Sequence, residues 1–264
     1  MDLNQFINGE NLKQICDIII DQNTVGLKRN YKDKDIIFCK TDFIGILFNE
    51  VKNHINTYTL ITHQSDYEIN ERIFNYKPKN IINWYAQNVN YKHENLIPIP
   101  IGLENYFGPS KGLSVDTKIL KNYKIQDSYA KNNLLYTNFN VNNHPYRLKW
   151  QNQIHSLNLK VTNKKKSFSN YTDDLKNSYF CASPRGNGID CHRTWESLYY
   201  DCIPIVQKHF IYDSFDAPII QIEKSSDLTH NFLNDIALKY QNKIINFDKN
   251  LLTIDYWRNK IKNE

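Results

Sequence analysis

Arg185, Gly186, Asn187, Gly188, Asp190, Arg193 and Glu196 crowd one short stretch of the chain, and their types point to anion binding. A guanidinium presents a planar fork of N–H donors that matches phosphate oxygens. Glycines admit positive φ and let backbone approach a ligand closely. Asp190 is placed to cap a helix expected from about Cys191 to Tyr200, with its carboxylate on the first free amides. Arg193 then falls in the first turn, and Glu196 lies one turn further along on a neighbouring face. Arg185 and Arg193 would flank the helix N-terminus and cradle a diphosphate. Glu196 repels phosphate, so its expected task is accepting from sugar or ribose hydroxyls. The competing expectation is structural: glycines that only shape a turn, and a surface pair Arg193–Glu196. Arginine on both sides, with Trp195 pinning the helix, favours the ligand.

The elements that must hold these residues can be read on either side of them. Tyr179–Ala182 is a short apolar run, expected as a strand, that breaks at Ser183-Pro184. A second apolar run, Ile203–Val206, follows the helical segment almost at once. Strand, glycine-rich turn, helix and strand make the βαβ plan of a parallel sheet. Such sheets bind anions at this turn, because helix N-terminal amides point at it unpaired.

The run from Phe180 to Val206 resembles the nucleotide-sugar-binding motif of glycosyltransferases of the exostosin family. The residues that carry the resemblance are Pro184, Arg185, Gly186, Arg193, Glu196, Leu198, Cys202, Ile203, Pro204 and Val206. Asp201 departs from it, standing where that family usually has a helix-ending glycine. The resemblance implies two Rossmann-like α/β domains with parallel sheets in a GT-B-like arrangement, with the nucleotide site in the C-terminal domain. It also implies a UDP- or GDP-sugar donor, a glycan acceptor, inversion at the anomeric carbon, and an acceptor base supplied by the N-terminal domain.

With 264 residues, 41% of them hydrophobic and 23% charged, the chain is long enough for a substantial core in one domain or two. A net charge of +5 suits an anionic ligand but is too diffuse to argue for nucleic acid. No apolar run approaches membrane-spanning length, and the first residues carry no basic-then-apolar signal. Five scattered cysteines, Cys16, Cys39, Cys181, Cys191 and Cys202, fit free thiols in a reducing compartment. A cytoplasmic protein is therefore expected. Cys191-His192 with its flanking cysteines lacks the spacing of a zinc site, so no metal and no further cofactor are expected.

Alternating patterns divide the chain into an N-terminal α/β domain over 1–131, a C-terminal nucleotide-sugar domain over 132–246, and a terminal segment, 247–264, expected to cross back onto the first domain. In the first, a helix is expected over Asn11–Asp21 and strands over Asp35–Lys40, Thr57–His63, Ile81–Tyr85 and Leu96–Leu103. A short helix is expected over Ile69–Phe74, and one capped by Thr41-Asp42 to about His54. A further helix is placed from Val115. In the second domain, strands are expected over Asn133–Asn138, Leu157–Val161 and Pro218–Ile222. Helices are expected over His144–Ser156, within Phe168–Lys176, and over Ser226–Tyr240.

Asp66, in the polar loop after Thr57–His63, leads the candidates for the base, with His63 and Glu104 in competition. Loop capping is the alternative for Asp66, a helix cap after Ile101-Gly102 for Glu104, and a structural role for His63. Asn138, Asn140 and Arg147 follow the first strand of the C-terminal domain and are positioned to reach the donor. Against that stand a helix cap at Asn142 or Asn143 and an exposed Arg147. Tyr171 is a candidate contact for the base of the nucleotide. Asp33-Lys34-Asp35 and Asp173-Asp174 are the only aspartate pairs suited to the metal motif of the competing GT-A fold. The first precedes an apolar strand instead of following one, and the second lies in a helical pattern.

The expected function is therefore glycosyl transfer from a nucleoside diphosphate sugar to a glycan hydroxyl, metal-independent, with arginines neutralising the leaving diphosphate. The alternative is a module of the same fold that binds nucleotide sugar or glycan without catalysis.

Overall fold

The computed structural model describes residues 5–104, 131–162, 166–240 and 247–263. The helix expected from Val115 lies outside them. The described residues form two compact units. One comprises Ile7–Ile101 with Gly188–Asp190; the other comprises residues 5–6, 102–104, 131–187 and 191–263. The chain thus divides at 101/102, and part of the glycine-rich turn groups with the N-terminal residues.

The N-terminal unit contains strands β1 (Ile18–Ile20), β2 (Asp35–Lys40), β3 (Tyr58–His63), β4 (Ile69–Asn70), β5 (Ile81–Ala86), β6 (Val89–Asn90) and β7 (Leu96–Pro98). β1, β2, β3, β5 and β7 lie side by side in chain order, all parallel, while β4 and β6 form a separate pair. Right-handed crossovers that always advance in one direction keep their helices on one face. The helices α2 (Ile44–Val51) and α3 (Glu71–Asn75) do share a face, since Phe48 and Phe74 both pack on the buried Trp84, with centroids 5.7 and 6.0 Å from it. A tight turn over Thr41–Phe43 leads into α2 with no side-chain cap, in place of the expected Thr41-Asp42 cap.

The helix expected over Asn11–Asp21 is cut short. It spans Gly9–Lys13 (α1), capped by the Asn8 side chain, and Ile18–Ile20 is a strand. Three successive β-branched residues lose rotamer freedom in a helix. Ile18, Ile19 and Ile20 instead pair with Ile37, Phe38 and Cys39, and the Asp17 carboxylate accepts from the Ile36 amide where that ladder begins.

In the C-terminal unit β8 (Asn133–Tyr136), β9 (Ser178–Ala182), β10 (Ile203–Gln207) and β11 (Ile220–Ile222) form a parallel sheet in chain order. The strand expected over Leu157–Val161 reduces to one parallel bridge, Asn138 with Thr162. The central strands are buried on both faces, as a sheet covered twice requires. On one face Leu135, Phe180, Ala182, Ile203 and Ile205 pack with Trp150 and Ile154 of α4 (Pro145–Ser156) and with Leu233 and Ile236. Side chains alternate along a strand, so Tyr136 faces the other way. Its ring meets Tyr171 of α5 (Phe168–Lys176) at 5.9 Å. The helix after β9 is α6 (His192–Tyr199), and α7 (His230–Tyr240) and α8 (Ile254–Asn263) follow.

The residues after Phe247 group with this C-terminal unit. Tyr199 Oη donates to the Leu252 carbonyl at 2.5 Å, Lys249 pairs with Asp201 at 2.7 Å, and the Trp257 ring lies 6.3 Å from that of Phe215. Asp201 takes φ 56° at the end of α6, the left-handed position at which a helix-ending glycine is common. Asp is tolerated there because the helix ends in the usual way, with Cys202 N donating to Ser197 O at 3.0 Å, and because Lys249 holds its carboxylate.

Candidate functional site

β9 delivers the chain to Ser183-Pro184-Arg185 at its carboxyl end, the edge at which parallel sheets bind ligands. The Ser183 and Thr194 hydroxyls are hydrogen-bonded at 2.9 Å in a buried setting, which fastens the exit of β9 to the first turn of α6. The residue before α6 is Cys191, in extended conformation, and it supplies no side-chain cap. Asp190 is not the cap that its type suggests. A helix that starts at His192 leaves Asp190 one residue too far back. Its buried carboxylate accepts from Ile101 N at 2.9 Å, and its own amide donates to Asn88 Oδ1 at 2.9 Å, all within the N-terminal unit.

The glycines are also explained differently. Positive φ occurs at Gly26 and Gly102 but at neither Gly186 nor Gly188. A Cβ on Gly188 would sit 2.6 Å from Asn88 Nδ2, and one on Gly186 would sit 3.2 Å from Arg147 Nη2. Both are glycine because other side chains of the protein press against them. Asn187, between them, is exposed.

Arg147 is neither exposed nor free to reach a donor. It is buried and donates through Nε to Arg185 O at 2.9 Å, through Nη1 to Asn140 O at 2.9 Å, and through Nη2 to Pro184 O at 3.3 Å. One guanidinium thus ties the loop after β8 to the loop after β9. Asn140 uses its side chain locally, accepting from Asn142 N at 3.0 Å, and Asn138 makes the bridge to Thr162. His144, not Asn142 or Asn143, caps α4.

Arg193 differs from Arg147. It is partly buried in the first turn of α6, and its Nε is shielded from solvent with no hydrogen-bond partner among the described residues. Burial works against its charge, yet Tyr171, Cys181, Cys191 and Glu196 together hold its pKa above the ordinary guanidinium value. Glu196 accepts from Tyr171 Oη at 2.6 Å. Tyr171 lies within α5, not in a loop, and burial followed by the Glu196 charge drives its hydroxyl well above the normal range. Arg185 is partly buried, and its Nη2 donates to Asn187 O at 3.3 Å.

Glu104 falls in the same unit. Burial raises its carboxyl above the usual glutamate value; His192 opposes that shift and Glu196 adds to it. His192 opens α6, and its Nδ1 lies 2.8 Å from the Gly102 carbonyl. Asp66 and His63 belong to the N-terminal unit. Asp66 is exposed, whereas His63 is buried with Nε2 3.1 Å from Pro100 O. Neither belongs to the unit that carries Arg193, and Glu104 does.

A scan of the chain against protein-family models and a search of curated proteins returned no match. The site is therefore judged on its own chemistry.

Among the described residues no group of three His, Cys, Asp or Glu side chains is arranged to hold a metal ion. The aspartate pairs have other partners. Asp33 accepts from Thr57 N at 2.8 Å, Asp35 accepts from Lys32 N at 2.7 Å, Asp173 pairs with Lys176, and Asp174 pairs with Lys166. No helix among the described residues is long and apolar enough to cross a membrane. His192 is a candidate that the sequence offers only as a zinc ligand beside Cys191. Its position at the first residue of the helix after the glycine turn was the available signal.

Proposed function

We propose that the chain is a glycosyltransferase of GT-B-like organisation, similar to the exostosin family, which transfers a sugar from a nucleoside diphosphate sugar to a hydroxyl of a glycan. The observation that carries this reading is Arg193. A cation with a shielded, unpartnered Nε is costly to keep unless an anion completes it. It stands in the first turn of a helix that has no side-chain cap, where unpaired amides favour negative charge.

In this account Arg193, with Arg185 and the first amides of α6, binds the diphosphate and stabilises the charge that grows on it as the glycosidic bond breaks. Glu196, oriented by Tyr171, accepts from a ribose or sugar hydroxyl. Arg147 takes no direct part and fixes the two loops. The acceptor base comes from the neighbourhood of Glu104 and His192. Cationic stabilisation of the leaving group needs no metal, so turnover should persist in excess EDTA.

The test is turnover of a panel of UDP- and GDP-sugars, alone and with glycan acceptors, alongside thermal stabilisation by UDP and GDP. Release of nucleoside diphosphate supports the enzyme. Stabilisation by UDP or GDP without any turnover supports the non-catalytic module instead.

A further inference from the structure

The acceptor hydroxyl must lose a proton as it attacks, and the group that takes it must present a free lone pair inside the site. His192 opens α6 beside Arg193 in sequence, and its tautomer is fixed. A carbonyl oxygen can only accept, so Nδ1, 2.8 Å from Gly102 O, carries the proton and donates it. In the neutral ring Nε2 is then the unprotonated nitrogen, and no protein partner engages it among the described residues. Gly102 takes φ 64°, a left-handed conformation suited to glycine, at the point where its carbonyl meets the ring.

We propose, on the basis of the glycosyltransferase reading above, that His192 is the catalytic base. The acceptor O–H gives its proton to Nε2 while the oxygen lone pair forms the new bond to the anomeric carbon. The bond from that carbon to the diphosphate oxygen breaks, and its electron pair leaves on the diphosphate held by Arg193 and Arg185. The imidazolium returns its proton to solvent. The charged and titratable groups around the ring are Glu104, Glu196 one turn on along the same face of α6, the neighbouring Arg193, and Tyr171, which donates to Glu196.

The variant His192→Asn keeps an N–H donor close to the position of Nδ1 and removes Nε2. Its hydrolysis of UDP- and GDP-sugars should fall by about a hundredfold or more, the usual contribution of a general base. Its UDP and GDP affinity should stay within about twofold of wild type, and the acidic limb of the pH–rate profile should disappear.

The outcomes separate the two readings. Wild-type protein that binds neither UDP nor GDP removes the glycosyltransferase reading and this inference with it. Binding and turnover with a His192→Asn variant that keeps its rate and acidic limb overturn the base alone. Binding with no turnover by wild type overturns the proton transfer in favour of the module. Should His192→Asn fail to fold, ¹⁵N imidazole spectra of the wild type decide: the neutral Nδ1–H tautomer is expected, and an Nε2–H tautomer would overturn the assignment.

Discussion

In the N-terminal unit Gln64, Ser65, Gln87 and Asn88, which follow β3 and β5, are hydrogen-bonded to one another. Gln87 accepts from Gln64 N at 3.0 Å and donates to Ser65 O at 3.0 Å, while Asn88 donates to Ser65 O at 3.1 Å and accepts from the Asp190 amide. In the C-terminal unit three carbonyls engage Arg147, but Arg193 Nε is buried with no hydrogen-bond partner among the described residues, and burial raises the Glu104 carboxyl. A buried polar group that a fold leaves unsatisfied needs a reason, and a ligand that completes it is one.

The largest effect expected from breaking this contrast is at Trp257, which is 1% exposed and donates through Nε1 to Leu251 O at 2.9 Å. Trp257→Ala should cost about 3–5 kcal/mol in urea unfolding. Hydrogen exchange should place the lost protection in β9 and β10. Loss confined to β2 and β3 would instead favour the crossing terminal segment that the sequence suggested.

A smaller effect tests the glycine turn. Gly188→Ala puts a Cβ 2.6 Å from Asn88 Nδ2 and should destabilise by about 1–3 kcal/mol. Gly186→Ala meets only the end of Arg147, at 3.2 Å, and should cost less. Equal melting temperatures for the two variants would mean that close packing does not explain the pair.

Much of this was legible in the sequence. The strands around the motif and the helix between them follow from apolar runs and spacing, and β9, α6 and β10 lie within a residue or two of expectation. What periodicity could not give is how side chains are committed in space. Arg147 and Arg193 look alike as letters, yet three carbonyls take up the first and its burial excludes any exposed role. Asp190 has the right type for a cap and the wrong register, because the helix begins one residue later than that role needs. Ile18–Ile20 continued a helical pattern until pairing with β2 outweighed it. Glu104 and His192 are far apart in sequence, so no spacing rule could join them.

The smallest expected effect is on the pH dependence of stability, where the two units should respond in opposite senses. Burial would raise the Asp21 carboxyl, but Lys13 at 2.7 Å and the amides of Asn23 and Thr24 outweigh it and hold the pKa below its ordinary value. Its stabilisation is complete above the unfolded pKa and is lost as pH falls through the folded one. Glu104, raised by burial, binds its proton more tightly when folded, so its contribution is present in acid and is lost as pH rises from the unfolded value toward the folded one. Urea melts from pH 3 to pH 7 should therefore show Asp21→Asn removing part of the acid loss. Glu104→Gln should remove part of the decline on the other side of the unfolded glutamate value. Curves of unchanged shape for both would contradict these assignments.

Binding of UDP and GDP to wild type and to Arg193→Met, measured by titration calorimetry, tests the central claim most directly. Methionine keeps much of the side-chain volume and removes the buried charge, so the unliganded protein should be as stable as wild type or more so. Wild type should bind one of the two nucleotides, and the variant should bind it about 1.5–3 kcal/mol more weakly, the scale of a charge-assisted hydrogen bond. Affinity within twofold of wild type, or no binding of either nucleotide by wild type, would contradict the account.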